Sequence, residues 1–134
     1  MTYPNLAGST GEAVSGIAAA LAAGGNLLAR SPAATTVPDR YRAALTELAA
    51  GYTYTAHMHS TGTSPNGELV TRLGLVDYLA DRFALAGEPT EVRERVREHT
   101  RRGVDGFWTI YGRPGLDTFV EAWGREIIGS GAAR

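Results

Sequence analysis

The sequence predicts an α/β protein, with helices and a long loop in its first half and a strand–helix–strand–helix unit in its second. Three observations predict it. Apolar residues recur at helical spacing in five separate segments. Residues 83–86 form a short apolar run, and residues 106–111 are dense in aromatic and β-branched side chains, so both read as buried strands. The connections among these strands and their helices are short, as in a right-handed βαβ unit covered on both faces.

The first helix opens at Ser9-Thr10-Gly11-Glu12, where a hydroxyl and a carboxylate three residues later make a capping box. Val14, Ile17, Ala18 and Leu21 follow at helical spacing, and Gly24-Gly25 is the expected stop. Alanines flank this narrow stripe, which implies close packing against a neighbour. Residues 31–38 are a connector with two prolines, and Pro38 belongs in the first turn of a second helix, where its missing N–H costs nothing. Tyr41, Ala44, Leu45 and Leu48 line that helix, and Gly51 ends it.

Residues 52–68 are rich in turn formers, show no helical stripe and hold two of the three histidines, His57 and His59. A loop this long in a small domain carries function or is disordered. A third helix places Leu73, Val76, Leu79 and Ala80 on one side and runs to Asp81 or Arg82. After the strand at 83–86, Gly87-Glu88-Pro89 turns into a helix reaching Arg102. Val92, Val96 and His99 or Thr100 face inward there, with Glu91/Arg95 and Glu98/Arg102 paired outside. In the strand at 106–111, alternation sets Trp108 and Ile110 on one face and Phe107, Thr109 and Tyr111 on the other, most of them core. The last helix, 116–128, carries Leu116, Phe119, Val120, Trp123 and Ile127 on one face.

Composition narrows the function classes. A chain of 134 residues suits one domain that buries roughly two thirds of its unfolded surface. Thirteen basic residues, all Arg, against fourteen acidic ones leave a net charge of −1, so no global positive field recruits nucleic acid. The absence of cysteine excludes disulfides, Cys-ligated zinc, iron–sulfur clusters and thiol nucleophiles. The longest apolar stretch, 17–23, is far below the ~20 residues of a membrane span. Glu12 precedes it and no Lys or Arg comes before Arg30, so the basic start of a signal peptide is missing. A soluble, cytoplasmic protein without a membrane partner is expected. Two strands, however, do not make a viable parallel sheet. Either the first half hides more, or others come from elsewhere.

Phe83-Ala84-Leu85-Ala86-Gly87-Glu88-Pro89-Thr90-Glu91-Val92, then Gly103-Val104-Asp105-Gly106-Phe107, resembles the C-terminal stretch of the luciferase-like flavin- or deazaflavin-dependent oxidoreductases, a monooxygenase family. There a strand ends in a Gly-Thr/Ser-Pro turn, and a helix, a Gly-Val-Asp and the last strand follow. Tyr52-Thr53-Tyr54, leading to His57 and a helix into Asp81-Arg82-Phe83, is similar as well. The resemblance implies part of a (β/α)8 TIM barrel, a fold of ~250 residues. It makes 1–134 a single domain, with helices and an insertion loop over 1–75 and the C-terminal βαβα unit over 76–129. The missing barrel half would explain the shortage of strands. Glu88 departs from the family: it removes a hydroxyl N-cap, typically worth ~1 kcal/mol, and sets a carboxylate where a helix N-terminus would attract phosphate.

By the same resemblance the cofactor is FMN or a deazaflavin coenzyme, the substrate is a small organic molecule, and His57 lines the active site as the catalytic candidate. Gly87, Pro89 and Thr90 open a helix at a strand's C-terminal end, where backbone N–H groups meet a cofactor phosphate or simply make an ordinary strand-to-helix turn. Arg113, in the loop after the last strand, contacts phosphate or an anionic substrate, or is solvated. His57 and His59 form an H-x-H that could hold a metal, or be plain loop histidines. A catalytic zinc wants three protein ligands, only His99 remains, and no metal is assigned. Glu91, Glu94 and Glu98 interleave with the five arginines of 93–102, which reads as a salt-bridged outer face.

Two functions follow. The first is the C-terminal portion of a luciferase-like oxidoreductase, transferring hydride or oxygen through reduced flavin or deazaflavin, inactive where the rest of the barrel is missing. The second is a non-catalytic α/β association module that completes its sheet by pairing with a copy or a partner chain.

Overall fold

The computed structural model describes residues 3–56, 64–109 and 115–129. It overturns the partial barrel. Among the described residues there are two strands, β1 (Tyr3–Leu6) and β2 (Ala84–Gly87), in one small parallel sheet, and the rest of the regular structure is helical. The chain divides into two compact units, residues 1–16 with 84–134 and residues 17–83.

In the first unit β1 and β2 pair in register, Tyr3 opposite Ala84 and Leu6 opposite Gly87. The strand expected at 83–86 thus exists, one residue further on, and all four of its residues are buried. Its partner is not 106–111. Residues 104–109 have no regular structure, 110 and 111 lie outside the described residues, and Phe107 and Trp108 are 41% and 63% exposed. Aromatic density there does not mark a core. The true partner escapes a sequence search because it is four residues long and carries Pro4 and Asn5, two of the poorest strand formers.

Two helices leave the sheet: α1 (Thr10–Ser15) after β1 and α6 (Pro89–Arg101) after β2. Val92 and Val96 of α6 bury against Leu85 and Ile127, with Leu6 and Trp123 packed around them. The last helix is shorter than expected. α7 (Leu116–Trp123) gives way to a π turn over Gly124–Ile128, and only Ile127 of the predicted apolar face is buried. Arg93 fastens that turn to α6 by donating from Nη1 to the Glu126 carbonyl at 3.0 Å.

The second unit is built on α2 (Ala18–Ala29), against which α3 (Asp39–Gly51), α4 (Pro65–Arg72) and α5 (Val76–Phe83) pack. The sequence predicts one helix stopping at Gly24-Gly25. Instead the first helix ends at Ser15 and α2 runs through both glycines. Close packing decides this. A Cβ on Gly25 would stand 2.6 Å from Leu48 Cδ2 and 2.8 Å from Leu79 Cδ1, two fully buried side chains. The glycine that would end a solvated helix admits leucines from α3 and α5. The expected third helix is likewise two, broken at Gly74, whose φ of 65° is left-handed. Among the described residues no helix is long and apolar enough to cross a membrane.

Gly25 and Gly11 therefore respond oppositely to alanine. Nothing lies within 4 Å of a Cβ on Gly11, so Gly11→Ala gains roughly 0.5–1 kcal/mol of helix propensity. Gly25→Ala gains the same propensity but overpacks a closed core at about 1–3 kcal/mol, and loses about 1 kcal/mol net. Urea midpoints of the two variants, moving in opposite directions at equal m, are the check.

Candidate functional site

Because β1 and β2 run parallel, both carboxyl ends lie on one side of the sheet, and a helix begins after each. This is where parallel α/β sheets hold ligands. The Ser9 hydroxyl caps α1 by accepting the Glu12 N–H at 3.3 Å. At the start of α6 the Glu91 carboxylate reaches back to the Glu88 N–H, 3.2 Å away, and also accepts the Thr10 hydroxyl from α1. Thr10 and Glu91, 81 positions apart in sequence, thereby join the two helix beginnings.

Gly87 lies beneath this junction. Its φ of 152° is one that side chains rarely adopt, and a Cβ there would stand 2.8 Å from Glu91 Oε2 and 3.5 Å from Thr10 Oγ1. The space a phosphate would take over this glycine is filled by the protein's own carboxylate. Glu88, expected to weaken the helix start, is its N-cap and forms a reciprocal capping box with Glu91. Thr90 is also committed, its hydroxyl accepting Arg93 Nη2 at 3.0 Å, while Pro89 supplies the first helical residue. The strand end does not fit a flavin or deazaflavin phosphate: its Glu88 N–H is taken by Glu91, and a second anion would meet that carboxylate.

His57, His59 and Arg113 lie outside the described residues. The structure does show what holds the approaches to the histidine segment. Asn66, 1% exposed, pairs both ways with Thr53: its Oδ1 accepts the Thr53 N–H at 2.9 Å, and its Nδ2 donates to the Thr53 carbonyl at 3.0 Å. Asn26, also buried, donates to the Tyr54 hydroxyl at 3.1 Å. Both ends of the turn-rich stretch are thus pinned by buried amides that sequence inspection passes over. His99 stands with its ring edge-on to Phe107, centroids 5.7 Å apart. Among the described residues no three His, Asp or Glu side chains gather as a metal site.

No family model, no curated protein and no solved structure matches this chain. The luciferase-like resemblance therefore rests on the quoted residues alone, and the described residues form no part of the barrel it implies.

The Glu91 carboxyl is held below its ordinary range, first by the Thr10 hydroxyl and then by the Glu88 N–H and the Arg95 charge, against some desolvation. With a folded pKa below the unfolded one, its contribution is complete above the ordinary carboxylate pKa of about 4.3 and fades as pH falls through the lowered value. Thr10→Val removes the largest cause. In a carboxyl-carbon NMR titration the Glu91 midpoint should rise toward the ordinary value; an unmoved midpoint would show that the Thr10 bond does not form in solution.

Proposed function

We propose that the chain is a non-catalytic association module that completes its first unit against a second copy of itself. One observation carries this: α7 is amphipathic yet has no buried residue, with Leu116 51% and Val120 57% exposed on the same face. An eight-residue helix is far below the ~12–15 residues at which isolated helices become even marginal. Trp123 anchors its end on the Leu85 cluster, and the Leu116–Val120 face is left open for a partner. Phe107 and Trp108, exposed in the same unit, and a sheet of only two strands support the same reading.

The charges on α7 favour a second copy. Asp117 stands in its first turn and Glu121 in its second half, and Arg125, which donates to Glu126 at 2.8 Å, follows just past its end. Two such segments packed antiparallel about a twofold axis would set Asp117 of each toward the other's Arg125, with opposed helix dipoles. The net charge of −1 offers almost no self-repulsion. The oxidoreductase reading has less support, since Thr90 is bonded to Arg93 and Glu91 occupies the space over Gly87.

Sedimentation velocity across a concentration series tests the proposal. The chain should dimerise, and Leu116→Asp or Val120→Asp should weaken dimerisation by at least about 2 kcal/mol, roughly thirtyfold, with far-UV circular dichroism unchanged. A chain that stays monomeric at its highest soluble concentration overturns the reading. If that monomer also quenches the fluorescence of added FMN or a deazaflavin, the oxidoreductase reading takes its place.

A further inference from the structure

We infer that the helical unit carries a binding site for a small amphiphilic monocarboxylate, centred on Arg30. The inference concerns residues 17–83 alone and does not depend on self-association. A groove of about 360 Å³ opens there, at the small end of the roughly 300–1,000 Å³ typical of ligand pockets. Ala29, Ala34, Leu45 and Ala49 give it an apolar lining, and Arg30 and Arg42 supply its charges. The two arginines are differently placed. Arg42 pairs with Asp39 at 3.2 Å through Nη1, and its Nε and Nη2 donate to the Val37 and Thr35 carbonyls. Arg30 has no carboxylate partner among the described residues.

What Arg30 has is a mount. Its Nε donates to Asn26 Oδ1 at 3.1 Å, and Nη2 donates to the Ala49 carbonyl in the last turn of α3 at 3.0 Å. Asn26 is 3% exposed and is itself held by the Tyr54 hydroxyl. The guanidinium is therefore oriented before any ligand arrives, so little side-chain entropy remains to be lost on binding. Its Nη1 edge takes no partner among the described residues, and a guanidinium presents N–H pairs in the geometry of a carboxylate.

Charge and lining together set the ligand class. One uncompensated cation suits a monoanion better than a polyphosphate. Thr46, the hydroxyl in the lining, is already donating to the Arg42 carbonyl at 3.0 Å. A polar ligand body would find few partners, whereas an alkyl or aryl body would cover the alanines and Leu45. The occupant is a carboxylate head on a short apolar body.

Octanoate is the probe, titrated into the full chain and followed by amide NMR, beside octanamide and inorganic phosphate. Saturable shifts confined to residues 26–50 are expected with octanoate. Octanamide, which keeps the body and loses the charge, should bind about tenfold or more weakly, and phosphate should not saturate. Arg30→Gln should lower octanoate affinity by a similar factor. Equal binding of octanoate and octanamide, tighter binding of phosphate, or no saturable shift would each overturn the site. If Arg30→Gln fails to fold, the comparison of octanoate with octanamide on the unaltered chain decides alone.

Discussion

The first unit depends on a four-residue parallel ladder. Pairing Tyr3–Leu6 with Ala84–Gly87 closes a connection of residues 7–83, across which the chain carries all the helices of the second unit. Loop closure grows only logarithmically with length, so so long a loop is affordable, but the ladder is too short to meet even that cost from its own hydrogen bonds. Burial must do most of it. All of β2 is inside, and Leu85 joins Val92, Val96 and Ile127 in the small cluster that ties the sheet to α6 and to the chain's last turn. The Thr10–Glu91 bond then links the helices that follow the two strands, so the ends of a very long loop are fixed at the ladder and again just beyond it.

That arrangement explains which elements the sequence shows and which it hides. α3 and α6 were legible because each has an apolar stripe and local stop signals that agree with its tertiary role. The outer charges of α6 were partly readable: Glu98 and Arg102 pair as spacing suggests, Arg97 turns to Glu94, and Glu91, on which the Arg95 charge acts, also takes the Thr10 hydroxyl. β1 was hidden because its stabilisation is wholly non-local. Nothing within Tyr-Pro-Asn-Leu prefers an extended chain strongly enough to announce it. Residues 106–111 erred the other way, with strand-like composition but no partner strand for 106–109, so that part stays irregular and leaves Phe107 and Trp108 in solvent.

The glycines of α2 make the same point in the opposite sense. Local rules treat Gly24-Gly25 as a helix end because glycine gains backbone freedom when the helix frays. Inside this unit the relevant quantity is the distance of closest approach, and a residue without a side chain lets Leu48 and Leu79 reach the helix backbone. Helix propensity lost at one position is offset by the burial of two leucines. Only the neighbours reveal that exchange, and they lie 23 and 54 positions away in sequence.

The residues proposed from sequence as a phosphate cradle show how a ligand-binding geometry can be kept while the ligand is internalised. A strand end, a glycine with an unusual backbone angle and a helix N-terminus all meet at Gly87, as a dinucleotide or flavin site would require. What differs is a single side chain. Glu91 supplies the anion that the helix N-terminus attracts and receives the hydroxyl that a phosphate would have received. The same physics then stabilises the fold instead of a complex, joining two helices that share no sequence neighbourhood. A glycine-rich strand-to-helix turn is therefore a sign of an anion, and whether that anion is a ligand or a carboxylate of the chain itself depends on the third residue of the helix.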